Sequence, residues 1–397
     1  MSLSLELRRD ANAAELLDWF KYMRANHPVY WDESRQAWQV FGYADFAHVA
    51  SDPSIFSSDF REAFPLTPET EVLMGPGVFG GMDPPGHGPV RRLVSQAFTP
   101  KRIAALEPRI AEIAKELLGG ISGDRFDMVE QLAYPLPVIM IADLLGIPAD
   151  DQDKFRDWVD TFLSNQAMEY PNLPEDFAET TGPAIQAMVA YFHEKAAEKR
   201  AVRTNDVFSD LVHAELDGRR LTDTEIVGIV ALLLSAGHIS SSTLIANIML
   251  CLDEHPEAER ELRADHSLIP AAIEEVLRYR SPFNNIFRIL KQDTELHGHK
   301  MRKGQMVIAW MASANRDETV FPNPDVFDIH RERNRHFSFG HGIHHCLGSA
   351  LARLEAKVLL PMLFERFPRF EVDHDGVAFY EPDELTAKHV PVKVRTY

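Results

Sequence analysis

The run Phe339-Gly340-His341-Gly342-Ile343-His344-His345-Cys346-Leu347-Gly348 sets a cysteine between a glycine-rich turn and the start of an apolar, helix-period segment. Gly340 and Gly342 allow tight backbone geometry and the close approach of a flat ligand. Orphan amide N–H groups and the positive end of the helix dipole favour a thiolate at such a position. A thiolate held by fixed amides is a good iron ligand, and it donates electron density that favours O–O cleavage. Two other readings compete. Cys346 could be a buried free thiol behaving as a small hydrophobe. Zinc is suggested by His336, His341, His344 and His345 nearby, but zinc usually needs four ligands at spacings typical of its class, and adjacent histidines do not easily share one ion.

Other reactive groups lie at helical spacing. Glu275 and Arg278 are three apart and share a helix face; alone, such a pair describes a solvated contact worth little. Asp83-Pro84-Pro85-Gly86-His87-Gly88-Pro89-Val90-Arg91-Arg92 opens a helix with His87 and Arg91 on one face. Ala236-Gly237-His238-Ile239-Ser240-Ser241 is a polar island inside Ile226–Leu252, a segment without a charged residue. That segment is long enough to span a bilayer. Its polar centre, continuing through Ser242, Thr243 and Asn247, argues against a span, as does a capping box at Thr222 and Glu225. The reading is a buried helix on the order of 45–50 Å long, polar where it passes something reactive.

The rest of the chain must position these groups. Its 397 residues, 45% hydrophobic and 25% charged, can bury a substantial core. With 41 Lys and Arg against 60 Asp and Glu, the net charge of -19 argues against nucleic acid or an anionic membrane as the main partner. Two cysteines, Cys251 and Cys346, exclude a disulfide scaffold and suit a reducing cytoplasm. Met1–Asp10 has no apolar core of a signal peptide or anchor. Helix periods cover 12–26, 43–51, 89–97, 101–118, 151–164, 182–200, 205–217, 222–254, 257–265, 269–280 and 348–367, and strand-like pieces 29–32, 37–41, 286–290, 306–310 and 392–394. No linker or repeat divides the chain. The expectation is a mainly α fold with small β-sheets, one domain over residues 1–397. The long loops Arg61–Met82, with Phe64, Leu73, Val78 and Phe79, and Gln166–Thr181, with Pro171 and Pro174, read as a lid or pocket walls.

The cysteine run resembles the ligand loop of the cytochrome P450 family, Phe-x-x-Gly-x-x-x-Cys-x-Gly, at Phe339, Gly342, Cys346 and Gly348. The resemblance extends over essentially the whole chain, from Pro28-Val29-Tyr30 to the C-terminal strand, and is to the soluble bacterial type. It implies the single-domain P450 fold, with a central helix over one face of a haem and Cys346 as axial iron ligand on the other. The haem would be b-type, because no Cys-x-x-Cys-His attachment motif is present. It further implies a buried Glu275–Arg278–Arg331 network that fixes the cysteine loop, Arg331 arriving from Phe321–Arg331. His87, Arg91, Arg288 and His344 are then partners of the haem propionates through charge-assisted hydrogen bonds. Val78, Phe79, Leu232, Ala236, Asn284, Asn285 and Ile286 become pocket residues.

One position departs from the family. Where the pattern Ala/Gly-Gly-x-Asp/Glu-Thr-Thr supplies an acid and a hydroxyl as a proton relay, this chain has Ile239 and Ser240. Ile239 carries no proton, while Ser240 keeps a donor. Protons would then come through Ser240 with His238, which titrates near neutrality, or from a polar group of the substrate, or be unnecessary in a peroxide-driven reaction. The implied activity is monooxygenation of a small, largely apolar substrate of secondary metabolism, such as a polyketide, terpenoid or steroid. Electrons would come from NAD(P)H through a ferredoxin or flavodoxin and its reductase to a cytoplasmic monomer. The basic cluster Arg91, Arg92, Lys101 and Arg102 suits an acidic carrier. The alternatives are a peroxygenase and a haem-binding protein without turnover. The ligand assignment predicts that Cys346→Ala abolishes the red-shifted Soret band of the reduced CO complex, whereas Cys251→Ala retains it; an intact band in Cys346→Ala contradicts it.

Overall fold

The computed structural model describes residues 13–61, 75, 77–151, 154, 155, 157, 158, 161, 177–380 and 383–395. Phe64, Leu73, Pro171, Pro174 and much of segment 151–164 lie outside the described residues. Helices dominate, and the chain groups into two compact units. One comprises Met1–Ser57, Ala104–Leu136 and Ser240–Tyr397; the other comprises Ser58–Ile103 and Pro137–Ile239.

The first unit contains a five-stranded sheet in the order Val29–Asp32, Ala37–Val40, Met306–Ala309, Ile286–Leu290, Phe56–Ser57. Its pairs are antiparallel except Met306–Ala309 with Ala37–Val40. Those two central strands are buried at every position, which accounts for their unbroken apolar character. Val40, Phe46, Leu290, Val307 and Phe337 form one core, so the sheet is packed directly onto the segment that leads to the cysteine loop. After that loop comes the helix Ser349–Arg366, buried along Leu351, Ala352, Glu355, Ala356, Leu359, Leu360 and Leu363. It packs on Glu107–Gly120 and Ile269–Tyr279. A carboxylate in that apolar stripe is unusual.

The second unit includes the helices His87–Ser95, Gly182–Ala201 and Val207–His213. Here a buried Lys199–Asp206 ion pair of 2.7 Å braces a turn at Gly146. Gly146 has φ +64°, and a Cβ there would run into the Asp206 carboxylate.

The long helix Asp223–Glu254 has 32 residues and begins at the expected capping box. Glu225 N–H donates to Thr222 Oγ1 at 3.2 Å, and Thr222 N–H donates to Glu225 Oε2 at 2.9 Å. It is long and apolar enough to cross a membrane, yet 67% of its most apolar window is buried within the protein, so it is a core helix. Gly237 lies where a Cβ would meet Ile141 Cδ1 at 3.1 Å, which lets the helix Pro135–Leu145 pack closely.

Some elements differ from the periodicity. The segment 101–118 is two helices, Pro100–Ala104 and Glu107–Gly120, because Pro108 lacks an N–H and starts a new helix. The helix expected over 205–217 stops at His213, and Glu215–Leu216 pairs with Arg219–Arg220 across Asp217-Gly218, both at positive φ. Pro135–Leu145 escapes the pattern because it is apolar all round. Removing the long helix's cap with Thr222→Ala should cost about 1 kcal/mol, seen as a lower urea midpoint; an unchanged midpoint contradicts the cap.

Candidate active site

The helix Ile269–Tyr279 buries one face, and two charges lie in it: Glu275 is 0% and Arg278 1% exposed. Arg278 grips the carboxylate with both prongs, Nε to Oε2 at 2.9 Å and Nη2 to Oε1 at 2.8 Å. Arg331 Nε joins at 3.1 Å, Asn334 Nδ2 donates to Oε2 at 3.0 Å, and Asp328 N–H donates to Oε1 at 2.9 Å. The remaining guanidinium donors reach carbonyls: Arg278 those of Asn315, Pro324 and Val326, and Arg331 those of Pro322, Asn323 and Val326. A buried ion group is tolerable only when its donors and acceptors are satisfied in this way. The triad is the one that the family resemblance implies; Asn334 and the Asp328 amide had no such signal.

The same helix ties down the approach to the cysteine. Ser338 Oγ donates to Leu277 O at 2.6 Å and meets Ser281 Oγ at 3.0 Å and Asn315 Nδ2 at 2.8 Å. Phe337 N–H donates to Asn315 Oδ1 at 2.7 Å. Glu274 forms a second clamp that sequence reasoning missed. It accepts from Arg353 Nε at 2.6 Å and Nη2 at 2.8 Å, and contacts His336 Nε2 at 3.1 Å. Burial raises its pKa, but Arg353 and His336 outweigh burial and bring the carboxyl down to about 2. The Arg353 guanidinium also lies 4.2 Å from the Phe339 ring centroid. One helix thus holds the residues on both sides of the loop.

Within the loop, Gly340 and Gly342 adopt φ +72° and +71°. At Gly342 a Cβ would come within 2.9 Å of Ala50 O and Ser51 Cα, so glycine is required twice over. Cys346 N–H donates to Phe339 O at 2.8 Å, and Gly348 caps the helix Ser349–Arg366. The Cys346 thiol group is exposed, whereas Cys251 is wholly buried, and burial pushes its thiol up to about 12. Of the two cysteines, Cys346 is therefore the one placed to meet a ligand. His344 ends the short turn Gly342–His344. Arg288 lies on Ile286–Leu290, 8% exposed, with Nη1 donating to Phe287 O at 2.7 Å. Asn284 is buried just before that strand, with Asn285 and Ile286 half-buried.

In the other unit, His87 and Arg91 are one turn apart on His87–Ser95. Burial, and then the Arg91 charge, hold the His87 pKa below its usual value. Arg91 lies 5.2 Å over the Phe79 ring. Val78 and Phe79, on the long loop before this helix, are each 5% exposed. Arg102 is ion-paired with Asp210, so the expected basic cluster presents less positive charge than its sequence suggests.

Along the long helix Leu232, Ser235, Ala236, Ile239 and Ser240 form a less buried stripe at helical spacing. His238 is off that stripe: it is 0% exposed, and its Nδ1 binds Leu234 O at 2.7 Å. Residues two apart on a helix point about 200° from each other. His238 is therefore a core histidine bonded to its own helix, on a different side from Ser240.

An exposed cysteine on a glycine turn, with a buried guanidinium and an imidazole in the same unit, fits an iron cofactor that carries carboxylates. These features define a haem-thiolate protein. The family description "Cytochrome P450" matches residues 3–393. The chain is 40% identical over 365 residues to the cyclomarin C epoxidase CymV of Salinispora arenicola (strain CNS-205), covering 91% of each. It is 41% identical over 390 residues to the erythromycin C-12 hydroxylase of Saccharopolyspora erythraea, covering 96% of this chain and 95% of that one. The solved ligand-free structure of cytochrome P450 TbtJ1 matches with a TM-score of 0.89 at 40% identity, over 98% of this chain and 100% of that one. The chain belongs to the cytochrome P450 family: a haem-dependent monooxygenase with the single-domain, mainly helical P450 fold. Glu275→Ala would leave two guanidiniums without their counter-charge, at a cost of roughly 3–5 kcal/mol. The yield of haem-loaded protein should collapse; parent-like loading and melting contradict the buried network.

Proposed function

We propose that this protein inserts one atom of O2 into a C–H or C=C bond of a small, largely apolar organic substrate, the other atom leaving as water. Two electrons come from NAD(P)H through a ferredoxin or flavodoxin and its reductase. The observation that carries this reading is Cys346, an exposed cysteine on a glycine loop clamped by Glu274 and Glu275. The named activities of the relatives, an epoxidase and a hydroxylase, support oxygen insertion into C=C or C–H bonds. The substrate proposed with this activity is a secondary metabolite of polyketide, terpenoid or steroid kind.

Each residue has a distinct task. Cys346 would ligate the iron, and His344 and Arg288 would hold propionates, a role that family position also gives His87 and Arg91. When bound, the haem supplies the oxygen activation and atom transfer. Ile239 can neither give nor accept a proton, so it keeps its part of the helix dry. Ser240, one residue on, retains a hydroxyl that can pass a proton. The half-buried Asn285 and buried Asn284 are suited to anchor a substrate oxygen in otherwise apolar surroundings.

A second reading, a peroxygenase, is favoured by the missing acid at Ile239. Labelled oxygen separates the two. A substrate found by its shift of the haem spectrum should yield product with one labelled atom from O2 in the presence of NAD(P)H, ferredoxin and reductase. Ser240→Ala should divert reductant from product to peroxide. Product formed only from added peroxide, without label from O2, contradicts the monooxygenase reading.

A further inference from the structure

Inside the first unit, two helices meet around an apolar cavity. The long helix contributes Ile245 and Met249 to its wall, and the helix behind the cysteine loop, Ser349–Arg366, contributes Ala356 and Leu359. Met128 and Phe370 also line it, and none of these six side chains is more than 5% exposed. The cavity has a volume of about 10 Å³, and among the described residues no polar atom opens onto it. Ala356 is its small residue; the rest of the wall is Ile, Leu, Met and Phe. Both helices carry it close to the reaction centre. Ile245 lies five residues beyond Ser240, about 8 Å along the helix axis. Ala356 lies ten residues beyond Cys346, about two turns into its helix.

A void of this kind forfeits dispersion contacts that one larger side chain would supply. Its size admits a single molecule no bigger than water or a diatomic gas. Water is a poor occupant, because a buried water needs about two to four polar partners, and this wall offers none. An apolar guest needs no such partner, and it restores the missing contacts. Met128 and Met249 bring flexible, polarisable thioethers that can adjust around it. We propose that this cavity binds molecular oxygen and holds it in store beside the reaction centre. Oxygen is the apolar diatomic that the proposed reaction consumes, so the role rests on the monooxygenase reading. Binding is by contact alone; no bond to the protein forms or breaks. A molecule stored here lies between the helix of Ser240 and the helix of Cys346, so the cavity raises the supply of O2 where the reaction uses it.

Crystals of the haem-loaded ferric protein, which leaves O2 unreacted, test the site without turnover. Frozen under pressurised O2, they should show elongated diatomic density between Met249 and Ala356 that crystals frozen without gas pressure lack. Ala356→Val, whose added methyls occupy the cavity, should keep the parent's CO spectrum and lose that density. It should raise the KM for O2 severalfold while kcat at saturating O2 changes little, the mark of a lost binding contribution. A cavity still empty under pressurised O2, or one filled by an ordered water, overturns the proposal. A KM for O2 equal to the parent's, in a variant whose density is gone, overturns the storage role. If Ala356→Val fails to load haem, the parent crystals decide alone. O2 density in the parent without any oxygenated product overturns the function reading and leaves the binding site standing.

Discussion

One buried carboxylate, Glu275, sets the terms for the cysteine loop. It is fully enclosed, and it holds two guanidiniums, one amide side chain and one backbone N–H. Neither arginine can move without stranding the charge, and their other donors are spent on carbonyls between Asn315 and Val326. The path of that segment is therefore fixed electrostatically rather than by secondary structure. Such a group adds little net stability compared with apolar packing. What it contributes is a single geometry for irregular chain, and irregular chain carries the cysteine.

Glu274, next along the same helix, extends this constraint past the loop by gripping Arg353. Neighbouring residues on a helix point about 100° apart, so two adjacent acids can serve two different segments. Ser338, bonded to Leu277 O, closes the gap between them. Within this frame the glycines at positive φ let Gly342 touch the helix Tyr43–Ser51. The sulfur is thus presented by a rigid turn, which is what a ligand of fixed position requires.

Much of this could be read from the residues. Val29–Asp32 and Ile286–Leu290 fall on their expected bounds, and the Thr222–Glu225 cap is where its motif put it. These are local patterns with a short range. The cysteine loop was also legible, because its glycines and cysteine sit within ten residues of each other. The rest depends on partners far apart in sequence. Glu274 and Arg353 are separated by 79 positions, and Glu275 and Asn334 by 59; no periodicity announces such pairs. His238 could be read either way, because a titratable residue beside a polar cluster suggests chemistry; the helix turns it into the core.

The central claim is that the loop, as the protein alone builds it, already holds the iron's thiolate ligand in place. A crystal structure of the haem-loaded protein tests it most directly. The account predicts the Cys346 sulfur bonded to iron, with Cys346 N–H still on Phe339 O, Gly340 and Gly342 still at positive φ, and Glu275 still bridging Arg278 and Arg331. Iron bound instead by an imidazole of the neighbouring histidines, or a loop rebuilt around the cofactor with those contacts broken, would contradict it.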